Sequence, residues 1–216
     1  MEKIGNKLFE GLTDGEFAEL LRLGHAREVE YDKDAVILLS GDFTSEFGVV
    51  LRGSVNIENV DVWGNVSILD NVSPGRVFAE TYAFLKKPLM VDVVASEKCR
   101  ILFLRMAPLL DGKTDSPLRR KFITNTLEML AEKNMTLSRR IFCSSPKSVR
   151  ARVMTYRSGE AKRTGSTSFF IPFDRRRMAD YLNVERTALS KELSKMQSDG
   201  LIRFCRNRFE LLKTDS

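Results

Sequence analysis

Four polar side chains near residue 190 have the types and the spacing needed to read the edges of DNA base pairs. They are Arg186, Thr187, Ser190 and Lys191, and steps of 1, 3 and 1 place them on one face of a helix. Arg and Lys donate hydrogen bonds to O6 and N7 of guanine, and a Thr methyl contacts the methyl group of thymine. The spacing therefore predicts a helix whose polar face enters a major groove.

Arginines on both sides of this helix are candidates for contacts with DNA phosphates. Arg175 and Arg176 precede the helix in a run of three arginines, and Arg206 and Arg208 follow it. Guanidinium groups and the amides at a helix start hold phosphates and set the register on a duplex. Residues 145–216 carry 16 Lys and Arg against 8 Asp and Glu, whereas residues 1–144 carry 19 against 21. This asymmetry favours a polyanion-binding domain over a basic surface that only aids solubility.

Catalytic and metal chemistry finds few suitable residues. His25 is the only histidine, and Cys99, Cys143 and Cys205 are far apart with no CxxC spacing. The usual ligand sets of zinc, haem and iron–sulfur sites are therefore missing, as is a Ser-His-Asp triad. We expect no enzymatic activity, no metal site and no cofactor. The separated cysteines also suit a reducing cytosol better than a disulfide framework.

The elements that must position the polar face are, in chain order, a helix N-cap, a helix, a tight turn, a second helix and a β-hairpin. Their predicted bounds are Asp174, 175–182, Asn183-Val184, 185–199 with Gly200 as the stop, and the strands 201–204 and 209–212. This order predicts a winged helix-turn-helix domain over residues 145–216.

The first 115 residues have a different pattern, typical of an antiparallel β domain. Helical pieces come first, with a capping box from Thr13 to Glu16, and a helical turn is expected within 78–86. Short β-rich runs separated by turn residues predict a barrel or sandwich. The strand candidates are 36–39, 47–51, 55–60, 66–69, 91–95 and 101–104.

Residues 116–144 carry a helical repeat that predicts a dimer contact. Apolar residues and one asparagine recur at steps of 4 and 3, which is an a/d seam in which a lone asparagine fixes the register. Packing on the β domain is the alternative, with Leu118, Phe122 and Met129 on the flank. A second helix should start with Ser145 as N-cap and Pro146 as first residue and reach Arg157, before a loop at 158–168. The seam residues are Ile123, Leu127, Leu130, Asn134, Leu137 and Ile141.

Several motifs together resemble the Crp/Fnr transcription regulators. The segment from Met178 to Leu193, followed by Gly200-Leu-Ile, is similar to the family's helix-turn-helix. Upstream, the segments similar to its cyclic-nucleotide-binding barrel are Ser40-Gly41-Asp42, residues 47–55, Pro74-Gly75 and Phe78-Ala79-Glu80. The resemblance implies an α+β fold with an N-terminal jelly-roll barrel, a long dimerisation helix and a C-terminal winged helix-turn-helix.

The resemblance fails where the family binds cyclic AMP. A Gly-Glu pair followed some ten residues later by Arg-Ser or Arg-Thr holds that nucleotide in family members, but here Ala79 precedes Glu80, and Leu89-Met90 replaces the phosphate-binding pair. An anionic phosphate would lose its charge-assisted hydrogen bonds there. We therefore expect either another effector or none. The candidate effector pocket comprises Glu80, Tyr82, Leu89 and Met90.

The resemblance implies a homodimeric DNA-binding regulator, with duplex DNA, a small-molecule effector and RNA polymerase as further partners. A regulatory module whose winged helix contacts protein instead of DNA is the alternative. No apolar run approaches the ~20 residues that span a bilayer, so we expect a cytoplasmic protein without a membrane partner. The sequence leaves the target genes, the half-site and the sign of regulation open.

Overall fold

A computed structural model describes residues 5–110, 116–171, 174–205 and 208–212 of the chain. It contains two compact units, Met1–Leu130 and Ala131–Ser216. The boundary between the units lies inside the long helix whose repeat predicts the dimer seam. The sequence predicts this dimerisation helix over residues 116–144, between an effector-sensing domain at 1–115 and a DNA-binding domain at 145–216.

Helices and strands follow the mixed order that the sequence predicts. After a 3₁₀ turn at Lys7–Phe9, the helices are α1 Asp14–Leu23, α2 Glu80–Leu85, α3 Met106–Leu110, α4 Pro117–Ser144, α5 Val149–Thr164, α6 Arg175–Leu182 and α7 Arg186–Ser198. The strands are β1 Arg27–Tyr31, β2 Val36–Leu38, β3 Glu46–Arg52, β4 Val55–Val60, β5 Val66–Val72, β6 Val77–Phe78, β7 Asp92–Ala95, β8 Cys99–Arg105, β9 Ser168–Phe170, β10 Ile202–Cys205 and β11 Arg208–Leu211.

The first unit contains two antiparallel four-stranded sheets, in the orders β1-β8-β3-β6 and β2-β7-β4-β5. The predicted α+β fold with a jelly-roll-like β domain is confirmed, with the difference that the described strands form two separate sheets that do not close into a barrel. The described strands pair only within their own sheet. The two sheets meet through their side chains.

Two buried clusters hold this unit together. Val50, Phe78 and Ile101 of the first sheet pack with Val55 and Val93 of the second. The other face of the first sheet packs against α1, α3 and the start of α4, whose Leu118, Phe122 and Met129 are buried. The capping box predicted at the start of α1 is also formed, because Thr13 and Glu16 exchange hydrogen bonds.

A glycine between β3 and β4 allows the tight approach of a neighbouring strand. Gly53 has φ +72°, and a Cβ placed on it would lie 2.8 Å from Cα of Cys99 and closer still to the carbonyl oxygen of Lys98. An alanine at position 53 would be strained by about 1–2 kcal/mol in this left-handed conformation. Its Cβ would add a packing cost of about 1–3 kcal/mol.

We expect Gly53→Ala to lower the free energy of unfolding by about 3.5 kcal/mol, the middle of the summed range, as measured by urea denaturation. Gly41→Ala is the matched control, because Gly41 has φ +92° but open space around its Cβ position. It should show the strain alone. Equal losses from the two variants would contradict the steric explanation.

The junction after α4 differs from the sequence prediction. Ser145 is not the N-cap of the next helix: its amide and its hydroxyl both donate to the carbonyl oxygen of Ile141, at 2.9 and 2.6 Å, so it ends α4. Ser148 caps α5 by accepting a hydrogen bond from the amide of Ala151. The helix α5 also continues through the predicted loop to Thr164, where Gly165 ends it with φ +65°.

Candidate nucleic-acid interface

The helix-turn-helix begins with a capped helix and turns at an asparagine, as predicted. Asp174 accepts a hydrogen bond from the amide of Arg177 at 2.8 Å, which starts α6. Asn183 adopts the left-handed conformation with φ 52°, and the amide of Val184 donates to the carbonyl oxygen of Ala179 at 3.0 Å. Apolar side chains from both helices are buried in one cluster and fix α7 against α6. They are Met178, Ala179, Leu182, Leu189, Leu193 and Met196.

The predicted base-reading residues lie together at the start of α7. Arg186, Thr187 and Lys191 are exposed, and Ser190 is half-buried. This leading turn of α7 therefore offers two cations and two hydroxyl-bearing side chains to solvent.

Glu185 is a residue of this surface that the base-reading prediction did not include. Its carboxylate caps α7 by accepting from the amide of Ala188, and it also accepts from the hydroxyl of Thr187, both at 2.9 Å. The amides of Thr187 and Ala188 hold the pKa of Glu185 below its ordinary value. Because its hydroxyl is engaged, Thr187 keeps mainly its methyl group for a base contact. Ser, Thr, Asp and Asn lead the N-cap preferences, so the sequence signal for Glu185 was weak.

The four predicted phosphate contacts have different surroundings. Arg176 is exposed at the start of α6, and Arg208 is exposed on the wing. Arg175 is half-buried, with its guanidinium 4.9 Å from the ring centre of Phe204, and burial lowers its pKa. Arg175 is therefore also part of the packing between α6 and the wing. Arg206 lies outside the described residues.

Two arginines of α5 bind the helix-turn-helix: Arg150 contacts α7 and its C-cap, and Arg152 contacts the end of α6. Arg150 forms ion pairs with Glu192 at 2.5 Å and Asp199 at 2.7 Å. Arg152 donates to the carbonyl oxygen of Asn183 at 2.6 Å, which satisfies the end of α6. The charge pattern of the sequence does not distinguish these structural arginines from the exposed ones, because their partners are distant in the sequence.

The wing is held by a third such arginine. Strands β10, β11 and β9 form the sheet in that order, and Arg157 lies fully buried beneath it. Its Nη2 donates to the carbonyl oxygen of Glu210 at 3.1 Å, and its guanidinium lies 5.0 Å from the ring centre of Phe209. Desolvation lowers its pKa to about 10, so it remains charged at neutral pH.

Most of the predicted seam residues are exposed on the single chain. The exposed fractions are 39% for Ile123, 63% for Leu127, 59% for Leu137 and 62% for Ile141. Asn134 is also exposed, whereas Leu130 packs partly against the core of the first unit. The alternative prediction, packing of α4 on the β domain, is met by the flank residues of its first half, which are buried in that core.

The predicted effector residues do not form one uniform surface. Glu80 and Leu89 are buried, Tyr82 is half-buried and Met90 is 75% exposed. The backbone of Leu89 bonds to Gly41 and Asp42, each at 2.8 Å, so this residue closes a turn. Ala79 has φ 62°, a conformation that glycine adopts without strain.

Membrane-spanning helices and groups of metal-ligating side chains are both absent from the described residues. No helix among the described residues is long and apolar enough to span a membrane. Within the same residues, no group of three or more His, Cys, Asp and Glu side chains is placed to hold a metal ion.

Two family profiles match separate parts of the sequence. The cyclic nucleotide-binding domain matches residues 28–111, which contain both sheets of the first unit except Arg27 at the start of β1. The Crp-like helix-turn-helix domain matches residues 151–216, which contain α6, α7 and the wing. No curated protein sequence matches the chain significantly.

Solved structures with a similar fold cover most of the chain. The catabolite activator protein of Thermus thermophilus is 22% identical, over 95% of this chain and 93% of its own, with a TM-score of 0.51. FixK2 of Bradyrhizobium japonicum is 21% identical, over 87% and 93%, with a TM-score of 0.50. CprK in complex with OCPA is 13% identical, over 92% and 91%, with a TM-score of 0.64. At these identities the likeness concerns the fold.

Proposed function

This chain belongs to the Crp/Fnr family of transcription regulators, and from that premise we propose that it binds a two-fold symmetric DNA site as a homodimer. Each copy presents one helix α7 to one half-site. Two-fold helix-turn-helix dimers read half-sites whose centres are about one helical turn apart, roughly 34 Å along the duplex. The recognition helices of the two copies must therefore be held at that spacing.

The exposed polar face at the start of α7 carries the proposal. Arg186 and Lys191 face solvent beside Thr187, while the opposite face of the same helix is buried in the core. Arg186 is suited to bidentate recognition of guanine, and Lys191 supplies a single point charge. Arg176 and Arg208 flank this face and would hold phosphates without reading sequence.

The exposed side chains on α4 support the homodimer. Leu127, Leu137 and Ile141 are each about 60% exposed although they follow an a/d repeat. A second copy of α4 would bury them, and Asn134 would pair with its twin to fix the register. The same contact would hold the two winged helices at a fixed spacing.

Selection from a randomised duplex library tests the DNA-binding proposal. Full-length protein should enrich sequences in which two inverted half-sites, each containing a guanine, have centres one helical turn apart. Enrichment of unrelated sequences, or of a single unpaired half-site, would contradict it.

We further expect that cyclic AMP does not bind the first unit. The positions that would meet its phosphate are Leu89 and Met90, which supply no charged donor, and desolvating an unpaired phosphate is costly. Isothermal titration of the full chain should give no saturable binding below about 1 mM, equivalent to less than about 4 kcal/mol. Micromolar affinity would refute this expectation, and its loss in Lys86→Gln/Lys87→Gln would identify those lysines as the phosphate ligands.

Control by an effector and contact with the transcription machinery complete the proposal. A ligand changes DNA affinity only if it binds two arrangements of the dimer with different strength. Contact with RNA polymerase and a cytoplasmic location follow from the proposed role on duplex DNA.

A further inference from the structure

A cavity of about 840 Å³ lies within the second unit, between the end of α4, the helix α5 and the end of α6. Ligand sites for small molecules commonly have volumes of about 300–1,000 Å³. None of the predicted DNA-contacting, seam or effector residues lines it. The cavity is therefore separate from every site predicted from the sequence.

Three aromatic side chains contribute to the walls of the cavity. Tyr156 and Tyr181 meet edge to face, with ring centres 5.4 Å apart, and Phe142 and Met154 contribute further apolar surface. Cys143 also lines the cavity, and burial raises the pKa of its thiol and of both tyrosine hydroxyls. All three groups are therefore neutral at physiological pH, and their surfaces favour a flat, apolar ligand body.

The charges around this cavity are mostly positive. Its one carboxylate, that of Glu160, is neutralised by Arg163 at 2.7 Å. Arg139 and Lys162 also line the cavity, and neither forms a hydrogen bond or an ion pair with any other described residue. Arg139 lies near enough to the hydroxyl of Tyr181 to oppose the rise in its pKa. Two cations that have no partner among the described residues, beside aromatic side chains, favour an organic anion.

The proposed dimer leaves the cavity open. An α-helix turns about 100° per residue, so Arg139 and Cys143 lie about 160° around α4 from the seam residue Ile141. A second copy of α4 packed on the seam would face the other side of the helix. The α4 helix of a second copy would therefore not fill the cavity, which leaves it open to a small molecule.

We propose that this cavity binds a small aromatic anion, such as an aryl carboxylate, with its ring packed against the Tyr156–Tyr181 pair and its carboxylate on Arg139. The residues that line the cavity belong to α4, α5 and α6. Helix α6 is the first helix of the helix-turn-helix. A bound anion would thus contact the element that carries the DNA-reading helix.

Calorimetric titration of full-length protein with 1-naphthoate tests this, with the neutral 1-naphthylmethanol as the matched ligand control. Saturable binding of the carboxylate is expected, and the alcohol should bind about tenfold more weakly, since a charge-assisted hydrogen bond is lost. Arg139→Gln should weaken 1-naphthoate binding about tenfold for the same reason. Arg22→Gln, at an exposed position of α1, should not change it.

A variant that fills the cavity distinguishes this site from any other. A Cβ on Gly159, which lines the cavity, would meet no atom within 4 Å, and the residue lies inside α5. Gly159→Leu should fold at least as well as the parent because glycine is a poor helix former, yet it should abolish 1-naphthoate binding. Gly159→Ala makes the same backbone change and should leave binding intact.

Protection of a cysteine from alkylation gives a second test of where 1-naphthoate binds. Bound 1-naphthoate should slow alkylation of Cys143 by N-ethylmaleimide without changing the rate at the exposed Cys205. Absence of saturable 1-naphthoate binding, or binding that Gly159→Leu leaves unchanged, would overturn the proposal. So would an Arg139→Gln variant that weakened duplex binding but not 1-naphthoate binding, because the cation would then serve DNA. The titrations contain no DNA, so failure of the proposed regulatory function would not produce these results.

Discussion

A protein carrying Leu127→Glu and Leu137→Glu is expected to be a monomer at micromolar concentration and to lose its affinity for a two-fold symmetric duplex. Both leucines are about 60% exposed on the single chain, so glutamates there disturb little internal packing. In the dimer each glutamate would face its twin across the seam. Like charges juxtaposed in an interface cost several kcal/mol, which corresponds to at least about a 1000-fold weaker dimer.

Sedimentation velocity measures the oligomeric state, and fluorescence anisotropy with the selected duplex measures the affinity. Met135→Glu is the control: Met135 is 56% exposed on α4 but lies outside the 4-3 repeat. It should remain a dimer that binds DNA like the parent. A double-glutamate variant that still sediments as a dimer would place the subunit contact elsewhere.

Arg186→Ala is expected to remove much of the protein's ability to tell its site from other DNA. Arg186 is exposed at the leading end of α7, and a bidentate contact to guanine contributes about 1–3 kcal/mol of discrimination at each half-site. Affinity for the selected duplex should fall roughly 5- to 150-fold per half-site, since 1.4 kcal/mol is a factor of ten. Affinity for a scrambled duplex should change little.

Two matched variants show which kind of contact is lost. Arg176→Ala removes an exposed arginine at the start of α6, so it should weaken binding to both duplexes and reduce the salt dependence by about one phosphate contact per copy. Lys195→Ala lies near the far end of α7 and should change neither affinity. If Arg186→Ala kept the parent's preference for the selected duplex, the face assigned to base reading would be wrong.

The boundaries of helices were predictable only where a local signal decided them. Asp174 and Asn183 bound α6 as expected, because an N-cap and a left-handed turn depend on a few neighbouring atoms. Ser145 also had the composition of an N-cap, but its hydroxyl bonds backward to Ile141, and Ser148 caps α5. Two serines three residues apart were equally suitable in sequence, so the packing of α5 decided between them.

The roles of individual arginines were less predictable from the sequence than the helix boundaries. The basic excess of the last third pointed to a polyanion surface, yet Arg150, Arg152 and Arg157 are used inside the domain, on carboxylates, a helix end and the wing. Arg175 likewise lies against Phe204. A guanidinium reaches several ångströms from its own backbone, so only the placement of neighbouring elements determines which partner it meets.

The one-dimensional pattern alone determined the domain order, the polar face of α7 and the apolar repeat of α4, because helical periodicity and turn chemistry act between residues near in the chain. Tertiary structure alone decided that the β domain consists of two separate sheets, that Glu185 engages Thr187, and that a cavity opens among α4, α5 and α6. Each of these features depends on distances between side chains or between residues on different elements. Such distances are fixed only when the chain has packed.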